Sequence, residues 1–282
     1  MHKVRISELD TWLRCKLLWK YQYLDQWEKI TDPEEHSPRL SGSAIHKGVE
    51  AMLISEKNQR QIGTEALDSY LALYEGGQKY RAGGITALMG VPDELLGRAD
   101  LVVEDEVEVS YPYLVGAGEH SAAPKVPVTV YGHPDLWFHA DGGITVVDFK
   151  STSKDEWQKL SWYQTWNLQP RYYAVLLHDW LKERGVIPPP FYTQHIILST
   201  RGKHAAGTEL LILPSEMDEA RARMLYIAGQ IAHAAEHETI GFKDAFFSSL
   251  CQSCDFAPVD EILLTGGQVD SVFAERYTKR EV

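Results

Sequence analysis

The sequence predicts an α/β fold, a central mixed β-sheet flanked by helices, with helical additions at both ends. Three observations carry that expectation. Segments with apolar residues three or four apart fill most of the first 75 residues and recur after residues 167 and 215. Between them the period shortens to two, in Val107-Glu108-Val109, Val126–Tyr131, Leu136–Ala140 and Ile144–Phe149. A further strand-like run, Phe191–Ser199, follows the helical segment after residue 167, so helices and strands alternate along the chain.

Taken in order, Ser7 and Asp10 resemble a capping box, and Leu9, Leu13, Leu17 and Leu24 continue at near-helical spacing. They predict a first helix over about 7–24. Thr31–Arg39, with Pro33 and Pro38, reads as a loop. Ile45, Val49 and Leu53 mark a second helix entered through Ser41-Gly42-Ser43, and residues 60–75 a third, with Ala66, Leu71 and Leu73. The glycine-rich patch from Gly76 to Gly97 reads as a loop or lid. Asp141-Gly142-Gly143 is a hairpin turn signal between two strands. Asn167 suits the start of a helix with Pro170 in its first turn, where a missing N–H costs little. That helix runs to about Arg184, ahead of Pro188-Pro189-Pro190. Ser215 and Asp218 open a last long helix with Met217, Met224, Ile227 and Ile231 on one face.

The 282 residues suffice for a full core without staples, since a chain of this size buries roughly 75% of the surface its unfolded form exposes. We expect one domain over 1–282, with its core at about 42–200 and further segments at 7–24 and 215–260. Apolar residues make up 44% and charged residues 24%, the composition of a globule and not of a disordered chain. A net charge of −12 excludes a globally basic nucleic-acid coat protein while leaving room for a local basic groove. No apolar run reaches the roughly 18 residues of a membrane span. Met1 to Leu9 lacks the apolar stretch of a signal peptide, and three cysteines cannot close a disulfide framework. The expectation is a cytoplasmic protein of phage, bacterial or archaeal type, with no membrane partner.

The chemistry concentrates in two carboxylates. Asp135 stands just before a strand in Gly132-His133-Pro134-Asp135, and Asp148 near the end of the next in Val146-Val147-Asp148-Phe149-Lys150. A tight hairpin sets these strands side by side, and alternation puts Asp148 and Lys150 on one face with Phe149 on the other. Mg²⁺ prefers a few hard oxygen ligands and keeps several waters, so two carboxylates plus a backbone carbonyl suffice for it. The bland alternative is a solvated turn aspartate and an Asp148–Lys150 pair.

The set Gly-x-Pro-Asp135, Asp148-x-Lys150 and Gln169-x-x-x-Tyr173 resembles the RecB-type branch of the PD-(D/E)xK nucleases. His46, in Gly42-Ser43-Ala44-Ile45-His46, matches the helix-borne histidine of that branch. The element order α-β-β-β-α-β is also that family's restriction-endonuclease-like core, and the resemblance spans about residues 7–260. It implies Mg²⁺ or Mn²⁺ held by His46, Asp135, Asp148 and the Phe149 carbonyl, with Asp135, Asp148, Lys150, Gln169 and Tyr173 as the catalytic set. Gln169 and Tyr173 share a helix face, and in the family that face points toward metal and DNA.

Cys251-x-x-Cys254 alone is compatible with zinc, redox chemistry or neither. The iron–sulfur subgroup of the family takes one cysteine from an N-terminal helix and three from a C-terminal group. Cys15, Cys251 and Cys254 resemble that set, which implies a [4Fe–4S] cluster tying the chain ends together. Asp260 stands where the fourth cysteine would fall. A carboxylate can ligate iron, though it is harder than thiolate.

An acidic protein that cuts DNA must gather its positive charge locally. Arg14, Lys16, Lys154, Arg171 and Arg201 are candidates for DNA contact, with Lys20, Lys159, Lys203 and His204 nearby in sequence. Trp157, Trp162, Tyr163 and Trp166 offer stacking surfaces. For any one of these residues a solvated charge or core aromatic is the simpler account.

The function implied is a metal-dependent exonuclease acting on linear DNA in recombination, repair, or phage or CRISPR DNA processing. No phosphate-binding G-x-x-x-x-G-K-[ST] segment is present, so a helicase, like any recombination or CRISPR partner protein, would be a separate chain. The alternatives are a nuclease-like DNA-binding or interaction subunit with vestigial or partner-dependent cleavage, and a hydrolase of small phosphoesters. The complete set of His46, Asp135, Asp148 and Lys150 separates an active nuclease from a vestigial one.

Overall fold

The structure is a computed structural model and describes residues 2–29, 38–103, 105–111, 127–140, 142–153, 168–237, 240, 254, 256, 273 and 277–279. The N-terminal elements are β1 (His2–Arg5), α1 (Ile6–Arg14), α2 (Lys16–Trp19) and β2 (Trp27–Lys29). Three helices follow, α3 (Pro38–Ile54), α4 (Gln59–Leu71) and α5 (Arg81–Leu88). Then come β3 (Leu101–Val103), β4 (Val107–Tyr111), β5 (Val128–Gly132), β6 (Leu136–Ala140) and β7 (Gly143–Thr152). Helix α6 (Gln169–Glu183) leads to β8 (Phe191–Ser199), β9 (Ala205–Ala206), β10 (Leu210–Ile212), α7 (Pro214–His237) and β11 (Tyr277–Lys279). The chain divides into two units, one of Met1–Ile30, Ser110–Tyr131 and Ala222–Val282, the other of Thr31–Val109 and Gly132–Arg221. Among the described residues no helix is long and apolar enough to cross a membrane.

In the first unit the single helix expected over 7–24 is broken. His2–Arg5 pairs in parallel with β5, from His2↔Val128 to Arg5↔Tyr131, so the chain is held extended before the helix begins. The capping interaction sits at Arg5 and Glu8 rather than at Ser7 and Asp10, with Arg5 N–H donating to Glu8 Oε1 at 3.0 Å. At Cys15 the backbone turns extended (φ −164°, ψ 116°) and Sγ accepts from Leu18 N–H at 3.5 Å, which restarts the helix as α2. Lys20–Leu24 then winds as one π-helical turn. Two terminal segments meet here. Strand β11 pairs with β2, and the Phe256 ring lies 4.9 Å from both Tyr21 and Tyr277.

Glu8, on the buried face of α1 at 7% exposure, also accepts from Trp19 Nε1–H at 2.9 Å. Burial outweighs these hydrogen bonds and raises its pKa above the ordinary value. The folded chain thus keeps the Glu8 proton to higher pH than the unfolded chain, so the group favours folding more as pH falls through the folded-state pKa. Glu8→Ala orphans a buried indole donor and should cost about 2–3 kcal/mol. In urea melts its deficit against wild type should widen from neutral pH to about pH 4.5; a deficit independent of pH would remove the titration from the account.

The second unit is built on a mixed sheet in the order β10-β8-β7-β6-β3, with β9 also pairing with β8. β6 and β7 form the expected hairpin, from Leu136↔Val147 to Ala140↔Gly143, and β8 runs parallel to β7. Asp141 and Asn167 lie outside the described residues. The core follows α3, β3, β6, β7, α6, β8, with Leu101–Val103 as its first strand. The run at 107–111 pairs with β5 instead, in the three-stranded sheet β1-β5-β4. Alternation decides the faces of β7. Val147 and Phe149 point into the core shared with α3, α4 and α5, and Asp148 and Lys150 point away from it.

The patch expected as a loop or lid over 76–97 is instead helical at its centre, with a 3₁₀ turn at Gly77–Tyr80 running into α5. Its small residues permit close packing. A side chain on Gly84 would come within 2.4 Å of Leu67 Cδ1, and burial of Ala87 and Leu88 repays the poor helix propensity of Gly83 and Gly84. The α3–α4 crossing is tighter still. A Cβ on Gly63 would lie 2.8 Å from the Gly48 carbonyl oxygen and 2.2 Å from Met52 Cγ. Backbone cannot yield as a side chain does, so Gly63→Ala should force the helices apart and destabilise by about 1–3 kcal/mol. Urea unfolding measures this, and an unchanged midpoint would show that the crossing has slack.

Candidate active site

The site lies in the second unit, at the end of the sheet where β7 outruns its hairpin partner. Pairing with β6 stops at Leu136↔Val147, and beyond it the Asp135 side chain takes the place of the ladder: Oδ2 accepts Phe149 N–H at 2.8 Å. That bond ties Asp135 to the backbone carrying Asp148 and Lys150. His46 comes from α3, whose Ala44, Ile45, Val49, Met52 and Leu53 face the core while His46 stands off that stripe. Its Nδ1 is 3.6 Å from Asp135 Oδ1, an ion-pair contact longer than a hydrogen bond.

On the α6 side, Lys150 Nζ donates to Asp148 Oδ1 at 2.9 Å and to Gln169 Oε1 at 3.4 Å. Gln169 Nε2 donates in turn to Tyr173 Oη at 3.0 Å, bridging one helical turn. The residues read from the sequence as one constellation, His46, Asp135, Asp148, Lys150, Gln169 and Tyr173, are therefore brought together. The Phe149 carbonyl belongs to the same stretch of β7, and the Phe149 ring is buried on the far face.

The two carboxylates have different electrostatics. Asp148 is 2% exposed, and burial pushes its pKa up to about 6 against the opposing charge of Lys150, with Asp135 adding to the rise. Burial acts on Asp135 too, but His46, Lys150 and the Phe149 N–H outweigh it and hold its carboxyl below the usual range. Burial likewise opposes the His46 imidazolium, and the contact with Asp135 overcomes it and raises the pKa. One carboxylate is thus poised to exchange a proton near neutrality while the other stays ionised, a division of environments that suits acid–base and metal chemistry.

Sequence reasoning missed His195. It is 2% exposed on β8, its register partner across the parallel pair is Asp148, and its Nε2 lies 3.7 Å from Asp148 Oδ2. Burial first, then the charges of Lys150 and Arg171, lowers its pKa to about 4, so the ring is neutral at pH 7. The available signal was a histidine in the apolar run Phe191–Ser199, but reading it required the β7–β8 register.

The other expected residues are placed as follows. Arg171 stands in the first turn of α6, 4.0 Å from Glu216, and Arg201 is exposed in the loop that leaves the site end of β8. Arg14 and Lys16 belong to the first unit, where Arg14 pairs with Asp10 at 2.6 Å and Lys16 lies over the Trp12 ring. Cys15 and Cys254 are half-buried residues of that unit. Lys154, Lys159, Trp157, Trp162, Tyr163, Trp166, Cys251 and Asp260 lie outside the described residues. Among the described residues no three His, Cys, Asp or Glu side chains converge as a ready-made metal cage. Mg²⁺ does not require one, since it is held by one or two carboxylates and keeps several waters. The paired carboxylates, the adjoining carbonyl and the imidazole fit a hard divalent ion.

Comparison with curated proteins returns no significant match. Among solved structures the crystal structure of SSO0001 is similar at a TM-score of 0.45 and 11% identity, covering 92% of this chain and 86% of that one. A sequence profile of the PD-(D/E)XK nuclease superfamily matches residues 5–259. With that match over nearly its whole length, and with a mixed sheet flanked by helices, the chain belongs to the PD-(D/E)XK nuclease superfamily, nuclease hydrolases that usually use Mg²⁺ or Mn²⁺.

Proposed function

We propose that the protein is a Mg²⁺- or Mn²⁺-dependent DNA exonuclease of the RecB-type branch, hydrolysing phosphodiester bonds of linear DNA in recombination, repair, or phage or CRISPR DNA processing. One observation carries this reading: Asp148 is bonded to Lys150 beside Asp135 and His46, and Lys150 leads on to Gln169 and Tyr173. His46, Asp135, Asp148 and the Phe149 carbonyl would hold the divalent ion. When bound, the ion supplies Lewis-acid stabilisation of phosphoryl charge and lowers the pKa of water. Lys150 places its ammonium on the side where negative charge develops, and Asp148 fixes it there. Gln169 holds Lys150 from the helix side, with Tyr173 fixing Gln169 in turn. Arg171 and Arg201 neutralise backbone phosphates beside this site; Arg14, Lys16 and Lys154 are further candidates for DNA contact by their charge alone.

A [4Fe–4S] cluster on Cys15, Cys251, Cys254 and Asp260 accompanies this reading as a staple of the chain ends. Its support is the meeting of terminal segments in the first unit: Phe256, two residues after Cys254, packs on Tyr21, six residues after Cys15. Protein purified without oxygen should be brown and contain iron, and colourless, iron-free protein would remove the cluster. The partners implied are DNA ends or single strands, together with a separate helicase, recombination or CRISPR protein.

The test of function is digestion with Mg²⁺ or Mn²⁺ of linear DNA labelled at one end or the other, beside a covalently closed circle of the same sequence. Metal-dependent loss of label from the linear form, with the circle intact, is the expected result and gives the polarity. Cutting of the circle would make the enzyme an endonuclease. Intact DNA from folded, metal-loaded protein would leave a binding subunit.

A further inference from the structure

We propose that His195 is the positioning residue for Asp148, holding Oδ2 from the sheet floor while Lys150 holds Oδ1. The inference rests on the reading of Asp148 as a metal ligand and assigns a role to a residue outside the motif set. Register is the first argument. Asp148 and His195 are partners across the parallel strands β7 and β8, so their side chains leave the sheet on the same face. Geometry is the second. His195 Nε2 lies 3.7 Å from Asp148 Oδ2, and Lys150 Nζ lies 2.9 Å from Oδ1, so the carboxylate is bracketed by one nitrogen at each oxygen. A movement of under about 1 Å brings the imidazole contact to hydrogen-bond length.

Burial is the third argument. An imidazole that is 2% exposed between Phe191, Thr193, Ile197 and Ser199, all buried on the same strand face, is costly to place there unless it is used. Its backbone is firmly seated. His195 C=O accepts Gly207 N–H at 2.8 Å, and Gln194 Nε2 donates to Gly207 C=O at 2.9 Å, so Gly207 pins β8 at the histidine. A ligating carboxylate free to rotate presents its oxygens in several ways. Held at both oxygens it presents one, and loss of such a supporting partner typically costs 10–100-fold in metal affinity.

The experiment uses the full chain. Mn²⁺ affinity is measured by electron paramagnetic resonance for wild type, His195→Leu, which keeps apolar bulk without a donor, and His195→Gln, which keeps an N–H. We expect a loss of about 10–100-fold in His195→Leu, recovery to within a few-fold in His195→Gln, and similar melting curves. Equal affinity in wild type and His195→Leu, or equal loss in both variants, overturns the proposal. Nitrogen-15 NMR of the wild-type histidines decides the case even if His195→Leu does not fold. A proton on Nε2 supports the proposal, and a proton on Nδ1 alone overturns it, because Nε2 could then only accept. Wild type with the Nε2 proton but no affinity for Mn²⁺ would overturn the nuclease reading of the site and leave His195 as a partner of Asp148 alone.

Discussion

Lys150→Ala should reduce DNA cleavage by about 10²–10³-fold, the scale on which loss of a preorganised charge-stabilising donor is felt. The protein should stay folded, because Lys150 is 30% exposed and packs no core. DNA affinity should change only a few-fold, since one cation among several is removed. A second consequence separates chemistry from metal binding. Lys150 opposes the upward shift of the Asp148 pKa, so its removal raises that pKa further above about 6 and leaves less carboxylate for metal at pH 7. Raising the pH should therefore restore Mn²⁺ affinity in Lys150→Ala without restoring the rate. Lys150→Arg should not rescue the rate either, because a longer, planar guanidinium spreads its charge and does not place it where the ammonium stands between Asp148 and Gln169. Single-turnover cleavage at saturating Mn²⁺ across pH decides the matter, and a wild-type rate in Lys150→Ala would take the residue out of the chemistry.

What could be read from the sequence was what local pattern controls. The β6–β7 hairpin follows from two alternating runs about a turn signal, and with it the common face of Asp148 and Lys150. The helix carrying Gln169 and Tyr173 starts where Pro170 allows, and strand Phe191–Ser199 has the expected bounds. What could not be read was set by partners distant in the chain. Residues 2–5 are strand because Val128–Tyr131 runs beside them, and that moves the capping interaction and helps break the helix expected over 7–24. Arg81–Leu88 is helical despite two glycines, because Gly84 leaves the space that Leu67 fills and Gly83 lies close against Thr200. His195 belongs to the same class: only the parallel register of β7 and β8 sets it beneath Asp148.

Asp148→Asn should lose more Mn²⁺ affinity than the roughly 10–100-fold that an outer-shell partner contributes, because it removes the charge itself. The wild-type pH dependence makes the claim sharper. Asp148, with pKa about 6, binds a proton in competition with the metal, and so does His46, whose pKa is raised, so wild-type affinity should fall by more than tenfold per pH unit below about 6. Asp135 titrates below the usual carboxylate range and contributes no second step there. Asp148→Asn should bind weakly and keep only the shallower pH dependence that His46 imposes. Stability should move the other way. The folded chain holds an ionised Asp148 at 2% exposure against its raised pKa, so at pH 7 this group opposes folding, and its neutral isostere relieves that cost. Melting of metal-free Asp148→Asn should then match or exceed wild type by a few degrees, the trade expected where a site keeps a strained charge for function. A variant that binds Mn²⁺ normally would free Asp148 from the metal. A large fall in melting temperature would instead show that the Asp148–Lys150 pair is structural, and both readings come from one purified variant measured by calorimetry.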